Sequence, residues 1–177
     1  RGRGQEKRVP GRLEDIVIDN IVADGTSITP SITGLPGHAV RNVSLSNVRI
    51  STRGGGKAEL ARREIPEEAA AYPEASMFGL LPAYGLYCRH VEGLTLRNIA
   101  VQCEQADERP LLVCDDVAHL HAEALHAQRE ANGSPMARLT QVRHAFFRSL
   151  APAPGTHTCL EVTGAETADI RLAGIWG

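Results

Sequence analysis

The sequence predicts an all-β chain: a partial right-handed parallel β-helix with one long loop insertion that contains a short helix. Three observations predict it. A nine-residue pattern, aliphatic-x-x-aliphatic-x-aliphatic-x-Asn-aliphatic, recurs at Leu13 to Ile21, Val40 to Val48 and Val91 to Ile99. The intervals suit a solenoid: Val40 follows Leu13 by 27 residues, Val117 follows Val91 by 26, and Val91 follows Val40 by 51, one repeat plus an insertion. Within each copy the apolar period is two, as in Ile16/Ile18, Val43/Leu45 and Leu94/Leu96, which is a strand with one buried face. Each unit is too short for two strands and a helix of ordinary length. Successive copies are therefore successive turns of chain, paired about 4.8 Å apart.

In chain order, Leu13 to Ile21 opens the first coil and Val40 to Val48 the second. The insertion follows, residues 53–83, leaving through Gly54-Gly55-Gly56. Ala58 to Ala71 is rich in Ala and Glu and predicts a short helix interrupted by Pro66. Tyr72-Pro73-Glu74 and Ser76-Met77-Phe78-Gly79 read as an ordered excursion that packs back on the coil. A loop this long in a solenoid lies on its functional face or covers an apolar patch, and both readings stand. Gly85 to His90 forms a strand ahead of the third copy, and Pro110 to Asp116 one ahead of the fourth, Val117 to Leu125. Leu139 to Phe147 is a degenerate fifth copy and Thr167 to Ile175 a late sixth, so residues 1–177 make one β-helix domain of about six coils. Inward aliphatics stack in columns. Asn20, Asn47 and Asn98 share one repeat position and form a structural ladder, because asparagine adopts the left-handed turn conformation at low cost and its amide reaches the next turn.

Composition narrows the function classes. At 177 residues, with 42% hydrophobic and 23% charged residues, the chain can bury a core without staples. The net charge of -2 supplies no basic excess for a polyanion, and 4% aromatics supply no base-stacking platform, so nucleic acid is not an expected partner. No apolar run approaches the roughly 20 residues that cross a bilayer, so no membrane is expected. Arg1 to Arg8 is basic and polar and does not read as a signal peptide. The chain reads as a piece of something longer. An export signal can lie upstream, so secreted, periplasmic and cytoplasmic locations all stand.

Cys88, Cys103, Cys114 and Cys159 contain no Cys-x-x-Cys spacing, which excludes a zinc ribbon or a thioredoxin-like pair. Cys88 and Cys114 each sit three residues ahead of the aliphatic that opens their copy, so they are neighbours on adjacent turns; their separation permits a disulfide, and stacked core thiols are the favoured reading. His119, His121 and His126 lack an acidic or cysteine ligand at matching spacing; no metal and no cofactor are expected.

Several segments together resemble glycoside hydrolase family 28, the polygalacturonase-like pectin hydrolases, and specifically the C-terminal part of bacterial members. They are Gly11 to Ile21, Gly34-Leu35-Pro36-Gly37-His38, Arg53 to Gly56, Tyr72-Pro73-Glu74 with Met77-Phe78-Gly79, Leu81 to Gly85, Arg89-His90-Val91, Arg109-Pro110 and Cys114 to Val117. The resemblance implies the pectin lyase-like solenoid, in agreement with the repeat. It also implies inverting hydrolysis of α-linked galacturonic acid, in which one carboxylic acid protonates the leaving oxygen and a second carboxylate activates water on the opposite face. The family's Asn-Thr-Asp, Gly-His-Gly and Arg-Ile-Lys motifs are absent here. Asp115-Asp116 corresponds to a late pair that is structural in the family, and the catalytic pair lies earlier. No catalytic residue is therefore assigned to this chain, and the catalytic turns are expected upstream of residue 1.

Three residues are candidates for substrate contact. His38 stands in Gly37-His38-Ala39, close to the family's Gly-His-Gly. Arg1 and Arg3 resemble a segment just after the catalytic turns, where a guanidinium suits a uronate carboxylate. The expected function is thus the C-terminal β-helix portion of a pectin-degrading hydrolase. The alternative is a non-catalytic module that binds acidic polysaccharide or serves as a scaffold. A cut solenoid also exposes the strand edges of its first coil, so self-association through that end is expected.

Overall fold

The computed structural model describes residues 10–127 and 134–176. Arg1 and Arg3 lie outside them. Almost every strand pairs in parallel with the coil before and the coil after. The strands are β1 (Glu14–Thr26), β2 (Ser31–Thr33), β3 (Val40–Thr52), β4 (Leu86–Cys103), β5 (Leu112–Ala127), β6 (Ala137–Thr140), β7 (Arg143–Leu150), β8 (Leu160–Thr163) and β9 (Ala168–Ile175). The coils run β1, then β2 with β3, β4, β5, β6 with β7, and β8 with β9, forming a parallel β-helix of about six turns. A single α-helical turn, α1 (Ala58–Ala61), stands in the insertion, shorter than Ala58 to Ala71 because Lys57 makes no side-chain cap and Pro66 follows.

Register follows the repeat. Ile16 pairs with Val43, Val43 with Leu94, Leu94 with Leu120, Leu120 with Ala145 and Ala145 with Ile170. A second inward column runs Ile18, Leu45, Leu96, Ala122, Phe147, Leu172. Ala122 and Phe147 are both fully buried, so the small residue leaves room for the ring on the next coil. Cys88 pairs with Cys114, and both are buried free thiols. The hydrogen bond with the Cys114 thiol, and burial after it, push the Cys88 thiol well up.

One copy is corrected. Leu139 belongs to the preceding face, where it pairs with Cys114, and the fifth copy runs from Val142 to Leu150, with Ala145 beside Leu120. The three-residue slip arose because Leu139 and Val142 imitate the spacing of the two opening aliphatics.

The coil bends at three corners, and at each the backbone enters the left-handed region. One corner carries His90, Asp116 and Gln141 (φ 53°, 51° and 53°). A second carries Asp15, Asn42, His119, His144 and Asp169 (φ 52° to 58°) with Gly93, where a Cβ would stand 2.8 Å from Asn42 Oδ1. The third carries Asn20, Asn47, Asn98, Ala124 and Ser149 (φ 53° to 58°). Asn98 Nδ2 donates to Asn47 Oδ1 at 2.8 Å. Asn47 Nδ2 donates not to Asn20 but to Asp19 Oδ1 at 2.9 Å, and Asn20 Nδ2 turns to Asp19 Oδ2 at 3.2 Å. The carboxylate accepts both amides and so terminates the ladder.

Among the described residues β1 pairs on one side only, with β3. Its outward Val17 and Val22 and inward Ile18 and Ile21 are exposed, as are Leu172, Ile175 and Trp176 at the other end. No helix among the described residues is long and apolar enough to cross a membrane.

Ala124 holds a left-handed corner without the side chain suited to it, a strain on the order of 1 kcal/mol. Ala124→Gly is expected to stabilise the fold by about 1 kcal/mol and Asn98→Ala to destabilise it by about 1–2 kcal/mol. Urea-unfolding midpoints check both signs.

Candidate functional site: the corner beneath the insertion

The strand period places the site. Along Leu86–Arg89, Leu86 and Cys88 face the core, so Tyr87 and Arg89 face outward. Val113 lies beside Tyr87 on the next coil. The two would form an exposed apolar patch. The insertion covers them with Phe78, Leu81 and Ala83, and Ile65 and Met77 pack at the edge. Burial pushes the Tyr87 hydroxyl up to about 12, against the opposing Arg89 charge.

Two buried guanidiniums hold the insertion down. Arg89, 2% exposed, donates from Nη1 to the Ile65 carbonyl at 2.6 Å and from Nη2 to the Pro66 carbonyl at 3.0 Å. Its guanidinium lies 5.3 Å from the Phe78 ring centroid and 3.5 Å from Glu67 Oε1. Arg109 forms a bidentate pair with Asp107, Nε to Oδ1 at 2.9 Å and Nη2 to Oδ2 at 2.7 Å. It also donates to the Leu81 carbonyl at 3.0 Å, while Asp107 accepts the Gly56 amide at 2.9 Å. Gly56 is required there, because a Cβ would fall 2.1 Å from Arg109 Nε. The start and the end of the insertion thus share one buried ion pair.

The corner residue His90 joins coil to insertion. Its Nδ1 lies 2.7 Å from Asp116 Oδ2, and its Nε2 lies 3.2 Å from both oxygens of Glu67. Asp116 Oδ1 also accepts from Arg143 Nη2 at 3.3 Å, and Arg143 Nη1 donates to Glu166 at 3.0 Å. Asp115 and Asp116 therefore serve different places. Asp116 is committed to His90 and Arg143, whereas Asp115 faces outward, where burial raises its carboxyl pKa against the pull of Arg89 and His90.

Two recesses flank this corner. The first, about 210 Å³, lies between the Gly34-to-Ala39 turn and the insertion, and is lined by Leu35, His38, Glu67, Glu68, Met77 and Phe78. Pro10, Gly11 and Leu13 also line it, next to the start of β1. The second, about 420 Å³, carries Arg62, Arg63, Arg138, Asp115, Tyr87 and Thr140. Glu67 borders both.

The sequence candidates fall apart in space. His38 is exposed in the first recess, whereas Asn20, Asn47 and Asn98 lie at another corner, along a separate groove with Arg49. His119 stands at a left-handed corner and stacks on His144 at 5.0 Å, while His121 stacks on Phe146 at 5.6 Å. Among the described residues no three His, Cys, Asp or Glu side chains gather as a metal site. Glu67 and Asp107 went unread in the sequence. Their partners lie 23 residues away for His90 to Glu67 and 51 for Gly56 to Asp107, distances at which only the coil brings groups together.

Arg109→Ala leaves Asp107 buried and unpaired, and is expected to destabilise the protein by about 3–5 kcal/mol. Arg41→Ala breaks the exposed pair with Glu92 and is expected to cost less than about 1 kcal/mol. Chemical denaturation of the two variants separates these outcomes. Compared with protein-family models, with curated proteins and with solved structures, the chain matches none.

Proposed function

We propose that this chain is the C-terminal β-helix portion of a polygalacturonase-like glycoside hydrolase, and that it contributes saccharide contacts rather than the bond-cleaving groups. In this reading the inverting acid and base belong to coils preceding residue 1, stacked on the free edge of β1. The carrying observation is the first recess, where His38 stands between the Gly34-to-Ala39 turn and the insertion, next to the start of β1. The second recess supports it, because Arg62, Arg63 and Arg138 offer guanidiniums, the group that binds uronate carboxylates in a planar fork. The assignment of hydrolysis itself rests on the family resemblance of the segments named above.

A non-catalytic scaffold is the second reading, and one observation favours it. The guanidiniums of the second recess already have partners: Arg62 and Arg138 lie near Glu161, and Arg63 donates to the Leu80 carbonyl. The exposed aliphatics of β1 support self-association of the isolated chain through that end under either reading.

With the chain alone, polygalacturonate is expected to release no reducing ends. Turnover abolished by Asp115→Asn would overturn the placement of the catalytic groups. Titration with oligogalacturonides to millimolar concentration is expected to shift His38 and Arg138 side-chain NMR signals; unshifted spectra would leave the scaffold reading. Sedimentation velocity is expected to show association that grows with concentration and is reduced by Ile18→Lys, whereas a monodisperse monomer at every concentration would remove the association proposal.

A further inference from the structure

His90 occupies a position that only one protonation state satisfies. Both of its ring nitrogens face carboxylates, Asp116 at 2.7 Å and Glu67 at 3.2 Å. A carboxylate only accepts, and a neutral imidazole carries one donor and one lone pair. The imidazolium alone donates to both. In the neutral ring the shorter contact keeps the proton on Nδ1 for Asp116, and the Nε2 lone pair then faces the two oxygens of Glu67.

The charged groups around the ring come from four elements. Glu67 approaches from the insertion, Arg89 lies on the same strand, Asp115 and Asp116 stand on β5, and Arg143 reaches Asp116 from β7. The ring is largely buried, so these groups act on it with little screening from water. The mechanical consequence is local. Arg89 holds the carbonyls of Ile65 and Pro66, which keeps the chain fixed up to Pro66 whatever the state of His90. Glu67 is the next residue, Glu68 has a left-handed backbone (φ 46°), and the hydrogen bonds of the segment that follows are local ones, Ala71 to Glu68, Met77 to Glu74, Ser76 Oγ to Glu74 and Gly79 to Ser76.

We propose that His90 is a proton-sensitive latch: as imidazolium it donates to Glu67 and holds it and residues 68–76 of the strap against the coil, and on losing its proton it leaves Glu67 only its 3.5 Å contact with Arg89 and loosens that stretch, while Phe78 stays packed over Tyr87. Glu67 borders both recesses, so its movement changes the lining of both. Protonation of His90 closes the strap and loss of that proton loosens it. This inference stands on the His90 geometry and holds whether the recesses take a saccharide or nothing.

Amide hydrogen exchange, corrected for the intrinsic rate at each pH, tests it. As pH is raised until the ring's own ¹⁵N signals report loss of the imidazolium, protection across residues 67–76 is expected to fall about three- to tenfold, while β4 and β5 stay protected. In Glu67→Gln the fall is expected to vanish, because an amide both donates and accepts. His90→Asn keeps a residue suited to the left-handed corner and is also expected to abolish it. Long-range ¹⁵N spectra of His90 are expected to show both ring nitrogens protonated at the acid end and Nδ1 alone at the other. Protection of 67–76 that ignores pH in the unaltered protein, or that falls equally in Glu67→Gln, would overturn the latch. Glu67 is half-exposed, so that variant folds even if His90→Asn does not.

Discussion

Parallel stacking in a single register imposes the constraint on which everything else in this molecule rests. Once Ile16, Val43, Leu94 and Leu120 share a column, each coil must turn at the same places as its neighbours. The turns are sharp and need left-handed backbone, so residues at those places form columns too. Asparagine and aspartate fill many of them because their short polar side chains reconcile that conformation with a local hydrogen bond. The ladder follows from the same geometry, and its end at Asp19 follows from the fact that a carboxylate cannot pass a hydrogen bond onward.

The same stacking creates the candidate site. An insertion between two coils has nothing of its own to bury, and it is held by what it covers. Here the cover is apolar, Phe78 and Leu81 over Tyr87 and Val113, while the orientation is polar. Arg89 and Arg109 place charge in a nearly dry environment, where a guanidinium is stabilised by the carbonyls and carboxylate that its donors reach. That requirement fixes the path of the insertion much more tightly than apolar contact would. It also leaves polar edges on both sides of the strap, where the two recesses lie.

The described coils differ in how well they are covered. Interior coils are covered on both sides, but the first presents a 13-residue strand whose outer edge has no partner among the described residues. Its edge carries Glu14, Asp15, Asp19 and Asp24, and this like charge opposes the pairing that its exposed aliphatics favour. Stability in such an array is nearly a sum over neighbouring coils, so an open end lowers local stability without disturbing the middle.

The sequence by itself determined the winding. Period-two aliphatics and a repeat near 26 residues specify strands, the coil and which side chains point inward, because these are local properties repeated along the chain. It also located the insertion and paired Cys88 with Cys114. It misplaced the fifth copy by three residues, since Leu139 imitates a repeat opening and only pairing with Cys114 reveals its face. The candidate corner was decided by tertiary structure alone. Glu67 meets His90, Asp107 meets Gly56, and Asp115 parts company with Asp116, through contacts between chain segments that carry no common pattern. A periodic core is written in every repeat, whereas an ion pair formed once across an insertion leaves no periodic trace to read.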